Sequence, residues 1–272
     1  MKRSFLALII IFSAFTFSRL NAQSLESPLE PVFNQVHDFE LGGIIALGVN
    51  YNSGSYSAEC PDCNFESLSK FGFSIGPKLD YAILPNYLYV GIKVLYDNAN
   101  VSGKFRRIES VPLKLADNTE ITTPIEFRHK LDLSVQALSF VPNIFFRISD
   151  LFDIRLGLYG DMLLSTNVKH VKELVTHSTV LPNGERVIVT LADMPGNEAT
   201  LEDREIPGAK SFVIGLSPEV NFNIPLQERW DFIIGTYFKM PFSGISDNQA
   251  DFKINEWRLY LGVSYNLNNT KK

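Results

Sequence analysis

The sequence predicts an all-β fold, an eight-stranded antiparallel up-and-down β-barrel that spans a membrane and carries long extracellular loops. Three observations lead there. Eight segments alternate apolar and polar residues, as half-buried strands do. The links between them are short and long by turns. The N-terminus carries an export signal. The chain has 272 residues, enough for one large all-β domain or two small ones.

The first segment is Glu40 to Tyr51, where Leu41, Gly43, Ile45, Leu47, Val49 and Tyr51 share one face. The second runs Lys70 to Ile83, with Phe71, Phe73, Ile75, Leu79 and Tyr81 on one face. The third is Tyr87 to Asn98, with Leu88, Val90, Ile92, Val94 and Tyr96 together. The fourth, Lys130 to Arg147, changes phase: Leu131, Leu133 and Val135 lie on one parity, and Leu138, Phe140, Ile144 and Phe146 on the other. A β-bulge near Gln136-Ala137 would restore the register. The fifth is Phe152 to Ser165, with Ile154, Leu156, Leu158, Met162 and Leu164 on one face. The sixth, seventh and eighth are Ser211 to Asn223, Trp230 to Met240 and Ile254 to Leu267. A tilted membrane strand needs roughly 9–11 residues, and every segment is long enough.

The links after the second, fourth and sixth segments are Leu84 to Asn86, Ile148 to Leu151 and Ile224 to Glu228. Those after the first, third, fifth and seventh cover 52–69, 99–129, 166–210 and 241–253. Outer-membrane barrels have short periplasmic turns and long extracellular loops, whereas a soluble sandwich has no reason to sort them. The polar faces carry Glu40, Lys78, Asp80, Lys93, Asp97, Arg155, Asp161, Glu219, Asp231, Lys239, Glu256 and Arg258. In a closed barrel these twelve form an interior charge network, because unpaired buried charge is costly. Tyr89, Tyr159, Tyr237 and Tyr260 share that interior, which eight strands leave just wide enough to fill. A narrow pore is therefore a minor reading. Prolines recur about six or seven residues before each short turn, at Pro77, Pro142 and Pro218. Proline cannot donate to a ladder, so each marks a local irregularity.

Residues 1–22 read as a signal peptide, with Lys2 and Arg3 ahead of the apolar run Phe5 to Phe17 and a small residue, Ala22, before Gln23. Residues 23–38 read as a periplasmic lead-in, 39–267 as the barrel and 268–272 as a tail. The formal charge is −5, and cleavage removes three basic residues and no acid, leaving −8. Such a surface does not favour nucleic acid. The expected surroundings are outer-membrane lipid and an extracellular or membrane protein partner.

Cys60 and Cys63, in C-P-D-C, sit in the first long link. A loop-stapling disulfide is the expected state after export. The redox reading lacks a thioredoxin-like βαβ unit, and two cysteines alone make an incomplete zinc site. His129, His170 and His177, with Ser165 and Ser178 nearby, are the candidates for a lipid-modifying enzyme; solvated loop histidines are the plainer reading. No G-x-S-x-G motif supports catalysis. No catalytic, cofactor or metal residue is assigned. In the third long link, Asn183-Gly184 reads as a hairpin turn inside "TVLPNGERVIV". The second long link would extend its flanking strands above the membrane.

The stretches "HKLDLSVQALSFVPNIFFRI", "DIRLGLYGDMLL", "TVLPNGERV", "REIPGAKSFVIGLSPEVNFNIPL" and "WRLYLGVSYNL" resemble the outer-membrane β-barrel proteins of Bacteroidota, the PorT-like and OmpA-like barrel set. Gln23 after the cleavage site looks like the same lineage. The likeness covers most of the mature chain, and its motifs speak to architecture rather than activity. Related chains often carry a peptidoglycan-binding domain after the barrel, and that role is not carried over to a sequence ending at Lys272. The leading reading is a non-enzymatic envelope protein that stabilises the membrane or presents its loops; the resemblance implies, as the alternative, an accessory of a secretion or assembly machine.

Overall fold

The computed structural model describes residues 39–57, 63–84, 87–114, 120–180, 184, 186–190, 197–227 and 229–267. The expected signal peptide, lead-in and tail, and Cys60, lie outside the described residues. The strands in chain order are β1 (Phe39–Ser53), β2 (Tyr56–Ser57), β3 (Asn64–Phe65), β4 (Ser69–Leu84), β5 (Leu88–Asn98), β6 (Val101–Lys114), β7 (Glu120–Ser149), β8 (Phe152–Leu174), β9 (Ser178–Val180), β10 (Arg186–Ile188), β11 (Glu198–Glu205), β12 (Phe212–Gln227), β13 (Trp230–Pro241) and β14 (Lys253–Asn266).

Eight of them close a ring. β1 pairs with β4, β4 with β5, β5 with β7, β7 with β8, β8 with β12, β12 with β13, β13 with β14, and β14 returns to β1. All of these pairings are antiparallel, and closure leaves the ring no open edge. The protein is an eight-stranded up-and-down barrel.

Its lower half is turned inside out relative to a soluble protein. Leu41, Ile45, Leu47, Phe71, Ile75, Leu156, Leu158, Leu164, Ile214, Phe222, Leu259 and Leu261 stand exposed on the outer surface. Two rows of aromatics bound this apolar belt. Near the short turns, Phe39 packs on Tyr81, Phe152 on Phe222 and Trp230 on Tyr265. At the other edge Phe73 meets Tyr96, and Phe238 meets Trp257. An apolar band between aromatic girdles is the surface of an outer-membrane barrel. No described helix is long and apolar enough to cross a membrane; the crossing is made by strands.

At each of the three prolines the ladder toward the next strand lapses without slipping. The β4–β5 pairing skips Gly76 and Pro77, β7–β8 skips Val141 and Pro142, and β12–β13 skips Ser217 and Pro218. Each pyrrolidine lacks the N–H that the ladder needs. Inside the ring, Gly215 lies opposite Tyr159 and Gly235 opposite Tyr260. A Cβ on either glycine would collide with the facing ring. The missing side chain is what lets the tyrosine lie flat across the sheet.

Above the belt the strands continue. β7 has 30 residues and β8 has 23, well beyond the roughly 9–11 that a crossing takes. The expected phase change in the fourth segment takes a different form. In β7 the odd-numbered residues from Ile125 to Phe145 face inward without a break. Leu131, Leu133 and Val135 point into the barrel axis, and Leu138, Phe140, Ile144 and Phe146 point out to lipid. Surroundings change here, not the parity: above the membrane the outside is wet and the inside is a dry core. A register shift does fall at Gln136/Ala137, but the extra residue, Leu164, belongs to β8. β8 is the strand that changes phase, from Asp153–Asp161 inward on odd numbers to Val168 and His170 on even ones.

The upper core contains Tyr56, Cys63, Phe65, Leu68, Val101, Leu131, Leu133, Val135, Val168, Ile206, Val213, Ile245, Phe252 and Ile254. The β2–β3 hairpin and the 241–253 link thus fold inward over the lumen. β6 pairs with upper β7 along its whole length, and β11 with upper β8, the latter with a bulge between Thr200 and Glu202. β9 and β10 form the hairpin around Gly184, whose φ of 84° lies in the left-handed region that glycine adopts freely. Asn183 lies outside the described residues.

Candidate functional site

Strand alternation delivers the polar residues of every ring strand to one narrow lumen, where they must pair. Eleven of the twelve expected network residues are buried there. The twelfth, Asp231, is half-buried, one residue into β13. Near the short turns, Arg147 donates to Glu40 at 3.0 Å and to the Tyr89 hydroxyl at 3.2 Å. One layer up, Arg155 donates to Asp80 at 2.9 Å and to Asp153 at 2.8 Å, while Lys78 reaches Asp80 at 3.0 Å. The Arg155 guanidinium lies 3.6 Å from the centre of the Phe145 ring. Lys93 donates to Glu219, which also accepts from Tyr260 at 2.6 Å.

Toward the outer leaflet, Lys239 gathers three carboxylates. Its Nζ lies 2.8 Å from Asp97, 2.6 Å from Asp161 and 3.4 Å from Glu256. Ser139 accepts from Lys239 at 2.9 Å, and its single hydroxyl proton lies between Asp97 and Asp161. Arg258 pairs with Glu256 at 2.8 Å and donates to the Asn50 side chain at 2.5 Å. The four lumen tyrosines, Tyr89, Tyr159, Tyr237 and Tyr260, are all buried. Tyr159 and Tyr237 set their ring faces 4.5 and 5.1 Å from Lys239 and Lys93. Aromatic faces of this kind help hold a desolvated cation. The apolar upper core then seals the same axis. Chemically, the lumen is a filled, cross-braced interior.

Above that seal lies a second polar cluster. β7 and β8 run side by side there, and their inward positions bring His129 and His170 together, each 1% exposed. His129 Nδ1 is 3.0 Å from His170 Nε2 and 3.6 Å from Cys63 Sγ. The other nitrogen of His129 meets Glu109 of β6 at 3.1 Å. Lys172 donates to the second Glu109 oxygen. Phe105 stacks on His129 at 4.9 Å, and Phe65 meets His170 edge-on at 5.5 Å. Burial lowers His129 below its ordinary value despite the pull of Glu109. Burial, aided by His129 and Lys172, pushes His170 down to about 4. Burial works to raise the Glu109 carboxyl, but hydrogen bonds from Lys172 and His129 outweigh it and hold the group below its ordinary value.

Two of the three histidines are therefore not solvated, contrary to the plainer sequence reading. His177 is exposed and contacts the Val175 carbonyl at 2.8 Å. Ser165 accepts from Asn167. Among the described hydrogen bonds, no serine hydroxyl meets a histidine. Cys63 is buried and disulfide-bonded. Sequence reasoning missed Glu109, Lys172 and Arg147, and set Asp153 on the polar face with Arg155 without counting it in the network. Arg147 shares the inward parity of its strand and could have been read from it. Glu109 belonged to a link with no assigned register.

No family model and no curated protein matches the chain. Among solved structures it is similar to Ail, the attachment invasion locus protein of Yersinia pestis, in complex with the heparin analogue sucrose octasulfate (12% identity over 83% of this chain and 99% of that one, TM-score 0.28). It is also similar to Neisserial surface protein A (12% identity, 84% and 96%, TM-score 0.33) and to the outer membrane protease OmpT from Escherichia coli (10% identity, 89% and 100%, TM-score 0.32).

Proposed function

We propose that this chain is a non-enzymatic outer-membrane protein that presents rigid extracellular β-arms to a partner outside the cell. The observation that carries this reading is the continuation of β7 and β8 far above the apolar belt, braced by β6 and β11. Loops that are merely tolerated surface do not need a core of their own. Here Ile125, Phe127, Leu174 and Val189 are buried together in the arms. Ile108, Val180 and Ile188 stand 69%, 58% and 82% exposed on them. Exposed apolar surface, where it is contiguous, marks a protein interaction site. The buried lumen pairs support a closed barrel rather than a pore. His129 and His170 are buried, and no described hydrogen bond joins a serine hydroxyl to a histidine, which supports a non-catalytic role.

Residues 1–22 serve in this reading as a cleaved signal peptide, 23–38 as a periplasmic lead-in, and Cys60–Cys63 as the bridge that holds the first long link. The partners are outer-membrane lipid around the belt and an extracellular or envelope protein on the arms.

The test is site-specific photo-crosslinking in intact cells. A crosslinker at Ile108 or Ile188 is expected to give discrete protein adducts, and one at the belt residue Leu158 to give lipid adducts. An adduct to an envelope machine would assign the accessory role. Absence of any protein adduct at both arm positions would overturn the reading, as would steady ion conductance by the pure protein in a planar bilayer.

A further inference from the structure

Cys63, His129 and His170 come from three parts of the chain, 66 residues separating the first two and 41 the last two. Their Sγ, Nδ1 and Nε2 atoms all lie within 4.8 Å of one another. A tetrahedral zinc ion takes Zn–N of 2.0–2.1 Å and Zn–S of about 2.3 Å, so its ligand edges measure about 3.3 Å for N···N and about 3.6 Å for N···S. The observed edges are 3.0 and 3.6 Å. Two imidazoles and a sulfur stand at about the spacings that such an ion needs.

The surroundings point the same way. A ligating histidine commonly gives its other N–H to a carboxylate, which fixes the tautomer. His129 Nε2 meets Glu109 at 3.1 Å, and Lys172 braces that carboxylate. The lone pair of His129 is thereby left on Nδ1, the atom that faces Cys63 and His170. His170 Nδ1 is buried without a hydrogen-bond partner among the described residues. The His170 ring can therefore turn without giving up a second bond. Phe65 and Phe105 wall the cluster against water.

We propose that these three residues form a redox-gated site for a borderline transition-metal ion of the zinc class. The disulfide at Cys63 keeps the sulfur unable to ligate. A dithiol opens the site. It transfers two electrons and two protons to the disulfide, leaving two thiols, and is itself oxidised to its own disulfide. On metal binding the Cys63 thiol loses its proton to the buffer, and the thiolate, His129 Nδ1 and a nitrogen of His170 take the ion. The site is independent of the binding role assigned to the arms.

Cobalt(II) is the probe, and the full mature chain in detergent is the sample. The protein is reduced with a dithiol, freed of it by gel filtration without oxygen, and titrated. The reduced protein is expected to take up one equivalent, with the ligand-field bands of a tetrahedral ion and a sulfur-to-cobalt charge-transfer band, both bleached by zinc. The oxidised protein is expected to show neither. His170→Gln should abolish the tetrahedral spectrum, and Glu109→Gln should weaken binding about 10- to 100-fold. Retention of the compact band on unheated gel electrophoresis certifies that each variant has folded. If a variant does not fold, the comparison of reduced with oxidised wild type decides alone. No cobalt uptake by reduced, folded protein would overturn the proposal. So would uptake without a sulfur band, or uptake equal in the oxidised form.

Discussion

Replacing Lys239 with methionine probes the lumen where it is most heavily charged. The side chain is 1% exposed and its ammonium sits among Asp97, Asp161 and Glu256 at 2.8, 2.6 and 3.4 Å. Methionine keeps most of the volume, so packing changes little. The electrostatics change sharply. Among the described residues, the three carboxylates, whose nearest oxygens lie within 4.8 Å of one another, keep one cation, Arg258, which is committed to Glu256. Removing one partner of a buried ion pair costs about 3–5 kcal/mol, because the other charge stays buried. At a slope of about 2 kcal/mol per molar urea, the unfolding midpoint should fall by roughly 2 M. The assay is urea unfolding in detergent micelles, read by far-UV circular dichroism. Neutralising the orphaned acids in the same background, with Asp97→Asn and Asp161→Asn, should recover most of the loss. A loss below about 1 kcal/mol, or no recovery, would refute the claim that Lys239 is held by charge rather than by packing.

Leu158, 56% exposed on the belt, should tolerate no arginine: Leu158→Arg is expected to cost about 2–4 kcal/mol in lipid. Val180→Arg on the arm, at 58% exposure, should stay within about 0.5 kcal/mol; equal costs would contradict the belt. Gly235→Val should destabilise by about 1–3 kcal/mol through collision with the Tyr260 ring, and Tyr260→Ala in the same chain should relieve part of it. In the oxidised, metal-free protein the arms should loosen as pH falls. His170 is held neutral to about pH 4 in the folded state against 6.5 ordinarily, so the unfolded state binds more protons between these values. Stability is full above about 6.5 and declines toward 4; limited proteolysis of the arms should follow that window, and His170→Gln should flatten it.

The barrel was legible because a strand repeats every two residues, so Leu156 and Arg155 disclose opposite faces without any tertiary information. The lumen network followed from the same parity, since mixed signs on an enclosed face must meet. Upper β7 was legible as a strand but not in its environment. An inversion of polarity at the membrane boundary looks, in sequence, like a one-residue slip. Leu131 to Val135 were therefore read as a change of phase, and the extra residue was sought in β7 rather than at Leu164 of β8. The inward folding of the β2–β3 hairpin carried no local signal. Nor did the meeting of His129 and His170, which depends on the register of two long strands. Glu109 joins them only because β6 folds back along β7.

The central claim is that the outer faces of the ring strands lie in hydrocarbon. The two tryptophans of the sequence, Trp230 and Trp257, test it without any mutation. Both point outward, 43% and 37% exposed, at opposite edges of the belt. In vesicles of lipids brominated along the acyl chains, their emission should be blue-shifted and strongly quenched relative to unbrominated lipid. Unquenched emission at the wavelength of water-exposed indole, from protein shown to be folded, would contradict the account.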